Sequence, residues 1–200
     1  FLDGRMRLNI SAFDYDFTDM QVFSSNPLNP TQLILRNAAE SEIRGGEIEV
    51  SALPFGGLKI DVGLSFLDAK FSDFELSGAD LTGNKLPNSP EFTANIGVEY
   101  AHSLSGGLSF LARADYYYSA EKFFTELNDP IAKQEEYQLL NARLSIKTRG
   151  DKWTFSIFGK NITDEVVYTT AFASAFLFGD GFLVGLAPPR TYGAEISYAF

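Results

Sequence analysis

The chain contains no cysteine and a single histidine, His102. The first absence excludes disulfides and thiolate metal sites but leaves the cellular compartment open. The second argues against catalysis: a hydrolase needs its His near a nucleophile or acid at a substrate-accessible site, and the one His sits beside the turn "SLSGG", at the short-turn end of the expected topology. No catalytic residue, metal ligand or cofactor is assigned. Basic residues are scarce as well: 16 Lys and Arg against 26 Asp and Glu leave a net charge of −10, which disfavours nucleic acid as a partner. No apolar run reaches the roughly 18 residues of a membrane-spanning helix. No stretch holds a helical period for more than a turn or two, which excludes α/β and helical folds. The opening "FLDGRMRLNI" is neither an initiator methionine nor a signal peptide, so Phe1 reads as a cut point inside a longer chain.

What the chain has in abundance is alternation. Apolar residues make up 45% of it and aromatics 14%, with 19 Phe and nine Tyr against one Trp. In "LKIDVGLSF", Leu58, Ile60, Val62, Leu64 and Phe66 share one parity, while Lys59, Asp61 and Ser65 take the other. The same period of two runs through "FTANIGVEY", "LSFLARADYYY", "LNARLSI", "WTFSIFG" and the terminal "TYGAEISYAF". It marks strands with one apolar and one polar face. The apolar faces of these six strands total 29 positions without a charge, where composition alone predicts roughly six. Two earlier strands are less regular. Around "NISAFDYDF" the apolar set changes parity from Ile10 and Ala12 to Phe13, Tyr15 and Phe17, and "ESEIRGGEIEV" carries a Gly45–Gly46 pair; both predict a β-bulge or bend. Short turns ("PFGG", "SLSGG", "RGD") alternate with long connections over about 24–40, 72–90, 122–136 and 163–188. Eight antiparallel strands would therefore have all short turns at one end and all long loops at the other.

Alternation by itself leaves two readings open: a soluble ligand-binding barrel or sandwich with the apolar face inside, or a membrane barrel with it outside. Three features point to the membrane. The strands are about 9–11 residues or longer, the loops alternate short and long, and aromatics gather at strand ends (Phe92, Tyr100, Tyr116, Tyr118, Trp153, Tyr192, Tyr198, Phe200). Mid-strand Ala94, Ala112, Ala142 and Ala194 would leave holes in a packed core, whereas acyl chains fill around them.

The segment "FGKNITDEVVY" followed by "PPRTYGAEISYAF" resembles the end of TonB-dependent outer-membrane receptors, and "IRGGEIEVSALPFGGLKIDVGLSFLDAKF" and "GNKLPNSPEFTANIGVEY" match the style of that family. The resemblance covers almost the whole chain; Ile162, where Leu is usual, is a small departure. It implies an all-β, antiparallel transmembrane barrel fragment, residues 1–200 forming the last eight of 22 meandering strands. No segment is assignable as the plug or as a TonB-contacting box. The resemblance implies a Gram-negative outer-membrane location and energised import of a scarce nutrient, such as a ferric siderophore or a cobalamin-like ligand. Its expected partners are outer-membrane lipid and lipopolysaccharide, the receptor's own plug, the TonB complex through that plug, and the barrel-insertion machinery. A passive channel or small structural barrel, which needs the first and last strands to pair, remains the alternative.

Site expectations follow. Thr191, Gly193, Ile196, Tyr198 and Phe200 resemble the sorting signal read by the insertion machinery, although Tyr198 and Phe200 also suit plain interface anchoring. Asn95, Glu99, Arg113, Asp115, Asn141 and Arg143 should face the lumen and contact the plug or line the permeation path. In the greasy loop "FASAFLFGDGFLVG", Phe172, Phe176, Phe178 and Phe182 either fold over an amphipathic ligand or pack into the barrel mouth. The scattered acidic residues, Asp14 and Asp16 among them, read as a solvated face; "NIT" and "RGD" read as local turns.

Overall fold

A computed structural model of the chain describes residues 3–26, 29–76, 78–173 and 182–200. Eight long strands form one antiparallel meander: β1 (Met6–Asn26), β2 (Asn29–Ala52), β3 (Leu58–Leu76), β5 (Phe92–Ser103), β6 (Ser109–Ser119), β9 (Tyr137–Lys147), β10 (Trp153–Lys160) and β13 (Thr191–Tyr198). The shorter β4 (Ala79–Asp80) folds back on β3, while β7 (Lys122–Phe123) pairs with β8 (Lys133–Gln134) and β11 (Tyr168–Ala173) with β12 (Phe182–Leu186). Among the described residues no ladder joins β13 to β1, so the sheet has two open edges.

Register turns the alternation of single strands into two continuous faces. One cross-strand row reads Leu58, Tyr100, Ala112, Leu144, Ile157, Ala194; the next reads Lys59, Glu99, Arg113, Arg143, Phe158, Gly193. The apolar face is left uncovered: Ile157 is 59%, Ile196 66% and Leu144 45% accessible. Among the described residues, neither hydrophobic cluster contains Ile60, Ile96, Leu144 or Ile196, so these side chains do not meet in a dry centre. Leu58 to Phe66 covers about 27 Å of strand, and the nine residues fall within the roughly 9–11 that a tilted strand uses to cross an apolar layer.

Short turns close the meander at one end. Gly57 adopts φ +85°, and a Cβ there would sit 2.1 Å from the Ala101 carbonyl oxygen, so only glycine fits the turn that brings β2 into β3. "SLSGG" and "RGD" each form a single 3₁₀ turn, Ser105–Gly107 and Arg149–Asp151.

Three expectations need correction. Residues 24–40 are not a loop: the β1–β2 ladder runs through most of that stretch. The ladder there continues after the apolar alternation has dissolved, because backbone pairing does not depend on which face is apolar. Neither expected bulge exists. Met6 to Phe17 pair with Ala52 to Ser41 without a slip, and β2 pairs β3 regularly through Gly45 and Gly46; the first shifts fall between Phe17 and Met20 in β1 and between Glu40 and Ser41 in β2. The parity change at Phe13 is a change of face. Phe13 stands on the polar face, its ring lying over Gly45, where a Cβ would meet it at 2.5 Å.

That change divides β1–β3 into two zones. Below it the outward row is Ile10, Ile48, Leu64. Above it the outward rows become Asp14, Arg44, Asp68 and Asp16, Glu42, Lys70, with Arg44 3.2 Å from Asp14. The inward face turns apolar at the same level, and Ala39, Ala69, Phe71 and Phe74 bury against Leu81 and Leu86 from the following loop.

Candidate functional site

The polar face of β3–β13 carries a charge network. Lys59 lies 2.8 Å from Asp61, which accepts a hydrogen bond from the Ser51 hydroxyl at 2.9 Å. Arg113 donates from Nε to Asp115 at 2.9 Å and from Nη1 to Glu99 at 3.4 Å. Arg143 stands directly opposite Arg113 in register, and like charges in that position repel. Each is answered by its own carboxylates, Arg143 by Glu195 at 3.1 Å, and its guanidinium also lies 5.8 Å above the Phe158 ring. Asn141 accepts the Asn161 backbone N–H at 2.9 Å, and Asn95 lies over Gly63. A recess of about 520 Å³ opens between these residues, lined by Arg113, Asp115, Asn141, Arg143, Phe158 and Lys160. All six residues expected to face inward thus share one face; Arg113, Glu99 and Asp115 touch directly, Arg143 turns to Glu195, and Asn95 stands apart over its glycine. Among the described residues no three of His, Cys, Asp or Glu come together as metal ligands.

At the long-loop end the connections lock together. Asn128 donates to the Lys85 carbonyl at 2.9 Å and accepts the Lys85 N–H at 2.7 Å, while Asn84 donates to the Glu126 carbonyl at 2.9 Å. Glu121 lies 3.0 Å from Lys133 and 3.7 Å from Lys85. The hydrogen bond from Lys133, and then the charges of Lys133 and Lys85, hold its carboxyl below the usual carboxylate range. Burial pushes the Lys122 ammonium down, and it lies 5.2 Å from the centre of the Phe124 ring. Phe124, Ala132 and Ala171 form a small core that also takes Tyr168 and Phe182. Gln134 accepts the Tyr168 N–H at 2.6 Å, tying the β7–β8 and β11–β12 hairpins together. Phe182 is therefore packed into this core. Phe176, Phe178 and the side chain of Phe172 lie outside the described residues.

The terminal strand is an edge. Thr191, Gly193, Ile196 and Tyr198 pair with Lys160, Phe158, Phe155 and Trp153, and the Phe158 ring lies over Gly193. The Tyr198 ring lies tilted against Trp153 with centroids 4.6 Å apart, with Phe200 edge-on at 5.2 Å from Tyr198. At the opposite border of the apolar band Phe66, Phe92 and Tyr118 form a second aromatic row, with centroids 4.9 and 5.9 Å apart. Both rows sit where interfacial aromatics belong.

Two details went beyond the sequence reading, an inward aromatic ladder and the hydrogen bonds of the expected "NITD" turn. Phe13, Tyr15 and Phe17 make an inward aromatic ladder with ring spacings of 5.5 and 6.0 Å; its signal, the parity change, was visible but pointed to a bulge. Asn161 of "NITD" is a turn organiser: at φ +48° it donates to the Glu165 carbonyl at 2.8 Å and accepts the Glu165 N–H at 3.0 Å. Asp164 of the same turn pairs with Arg190 of "PPRTYG" at 2.8 Å, so the two segments that carried the family resemblance meet in space.

Against known proteins, the family model for the TonB dependent receptor-like β-barrel matches residues 1–162. The ferric yersiniabactin uptake receptor FyuA from Yersinia pestis superposes with a TM-score of 0.80 at 20% identity, over 96% of this chain and 27% of that one. BauA, the ferric preacinetobactin receptor from Acinetobacter baumannii, gives 0.71 at 18% identity over 98% of this chain and 27% of its own. The copper transporter OprC gives 0.68 at 16% identity, over 98% of this chain and 29% of its own. The chain spans about a quarter of the length of the solved structures it matches.

Proposed function

We propose a function that starts from one fact: this chain belongs to the TonB-dependent receptor-like β-barrel family, whose members are outer-membrane barrels. The apolar face is then the lipid face and the charged face the lumen wall. On that footing the chain is the C-terminal eight strands of a 22-stranded receptor barrel, and the receptor imports a scarce nutrient rather than catalysing a reaction.

The observation that carries this reading is the open sheet. Unpaired backbone groups in hydrocarbon cost several kcal/mol each, and β1 and β13 each leave a row of them. Pairing β13 with β1 would give an eight-stranded barrel whose interior is filled by side chains. Further strands of the same receptor instead give a wide lumen, and a wide lumen needs a plug. Arg113, Asp115, Glu99, Asn141 and Arg143 would then hydrogen-bond that plug, while the locked loops flank the ligand entrance. The ligand is a metal chelate of the siderophore class or a cobalamin-like molecule, the first supported by the named cargoes of FyuA and BauA. The plug would couple to the TonB complex, and the Thr191–Phe200 segment would be read by the insertion machinery.

The test is energy dependence. Cells whose growth on a chelated nutrient requires the intact receptor should lose uptake when TonB is deleted, with ligand binding to the cell surface retained. Uptake that persists without TonB would establish the passive-channel alternative instead.

A further inference from the structure

The short-turn rim has a charge opposite to that of the rest of the chain. Counting residues 3–7, 53–59, 101–109, 147–153 and 199–200, the rim holds six of the 16 basic residues and only two of the 26 acidic ones, Asp3 and Asp151. It therefore carries +4 and everything else −14. The rim is physically continuous. Arg5 donates to the Pro54 carbonyl, the Ala101 N–H donates to the Gly57 carbonyl, the Arg149 stem covers Gly107, and the Ala199 N–H donates to the Lys152 carbonyl.

The rim cations divide by direction. Arg7 and Lys59 belong to inward-facing rows, and Lys59 is neutralised by Asp61. Arg149 and Lys152 occupy the last turn; both are exposed and neither has an acidic partner among the described residues. The packing of the Arg149 stem against Gly107 limits where its guanidinium can go. Beside them on the lipid face stands an aromatic cluster of Trp153, Phe155, Tyr198 and Phe200. Aromatics of this kind sit at headgroup level. The two cations next to them are thus held where lipid phosphates lie.

We infer that the β9–β10 turn, through Arg149 and Lys152, binds the headgroups of anionic phospholipids in the periplasmic leaflet. The aromatic cluster supplies contact with the acyl and glycerol region, and the two cations supply preference for an anionic over a zwitterionic headgroup. A cation near an anionic lipid surface is worth roughly fivefold in affinity. This inference rests on the outer-membrane placement and is independent of import.

The test uses the full-length receptor in mixed micelles, equilibrated with phosphatidylglycerol and phosphatidylcholine, with retained lipid measured by native mass spectrometry. The wild type should retain phosphatidylglycerol preferentially, and the preference should weaken with salt. Arg149→Gln with Lys152→Gln should lower the preference by about tenfold or more, and Lys152→Gln alone by about fivefold. Lys59→Gln, on the inward face, should leave it unchanged. Equal retention of the two lipids by the wild type, a double variant within twofold of wild type, or a Lys59→Gln effect as large as that of Lys152→Gln would each overturn the inference. Heat-modifiable gel mobility of each variant reports whether the barrel has folded. A variant that fails it is replaced by Lys152→Gln, whose substitution removes only an exposed charge.

Discussion

The lower and upper parts of β1–β3 use the same three strands and one ladder that stays in register from Met6 to Phe17, yet they are inverted in chemistry. Below Ala12 the outward side chains are Ile10, Ile48 and Leu64, and the inward ones are Asn9, Glu49 and Gly63. Above it the outward ones are charged, and the inward ones run from Phe13, Tyr15 and Phe17 to the buried Phe71 and Phe74. Backbone geometry does not change across this line; the solvent outside does. An apolar face records what touches the sheet there, acyl chains below and the protein's own loops above.

Substitutions matched across the line can break this comparison. The largest effect is expected in the upper zone, where Phe71 is 1% exposed: Phe71→Ala should cost about 3–5 kcal/mol locally. It should be read as protease sensitivity of residues 78–91 with insertion of the band intact. In the lower zone Val62→Lys, at mid-band on the lipid face, should cost about 2–4 kcal/mol of folding stability in bilayers. Asp68→Lys, six residues on and on the same face, should cost no more than about 1 kcal/mol, from the like charge set opposite Arg44 and the lost pair with Lys70. Equal costs for the two would remove the boundary between zones.

Two smaller effects sharpen the inner face and the mouth. The buried Ser145 and Ser156 hydroxyls bond at 2.8 Å, so Ser145→Ala should cost about 1–3 kcal/mol by orphaning Ser156. Ser156→Ala added to it should cost much less than the two single changes summed. The smallest effect is the loop clasp. Its contribution from Glu121, whose folded pKa is depressed, is complete above the ordinary carboxylate value of about 4.3 and is lost as pH falls through the folded value. Amide exchange of residues 84–91 should therefore quicken only below about pH 4, and Glu121→Gln should flatten that dependence.

Much of the lower zone was legible in the sequence, because a strand with lipid on one side and water on the other has to alternate. The six polar-face residues from Asn95 to Arg143 could be placed on one face by parity alone. The upper zone was not legible for the same reason. Where both faces meet water or loops, nothing enforces alternation, so residues 24–40 read as a loop and Phe13 read as a bulge. Parity could not choose carboxylate partners either: Arg143 turns to Glu195, which is 52 positions away in sequence but only two strands over.

The claim that the even-numbered face of β5 touches lipid is open to direct test by nitroxide scanning of residues 92–103, one cysteine at a time, in the full-length receptor in bilayers. Collision with oxygen should peak at 94, 96 and 98, and collision with a water-soluble nickel chelate at 95, 97 and 99. The reverse phase, or no alternation at all, would contradict the account.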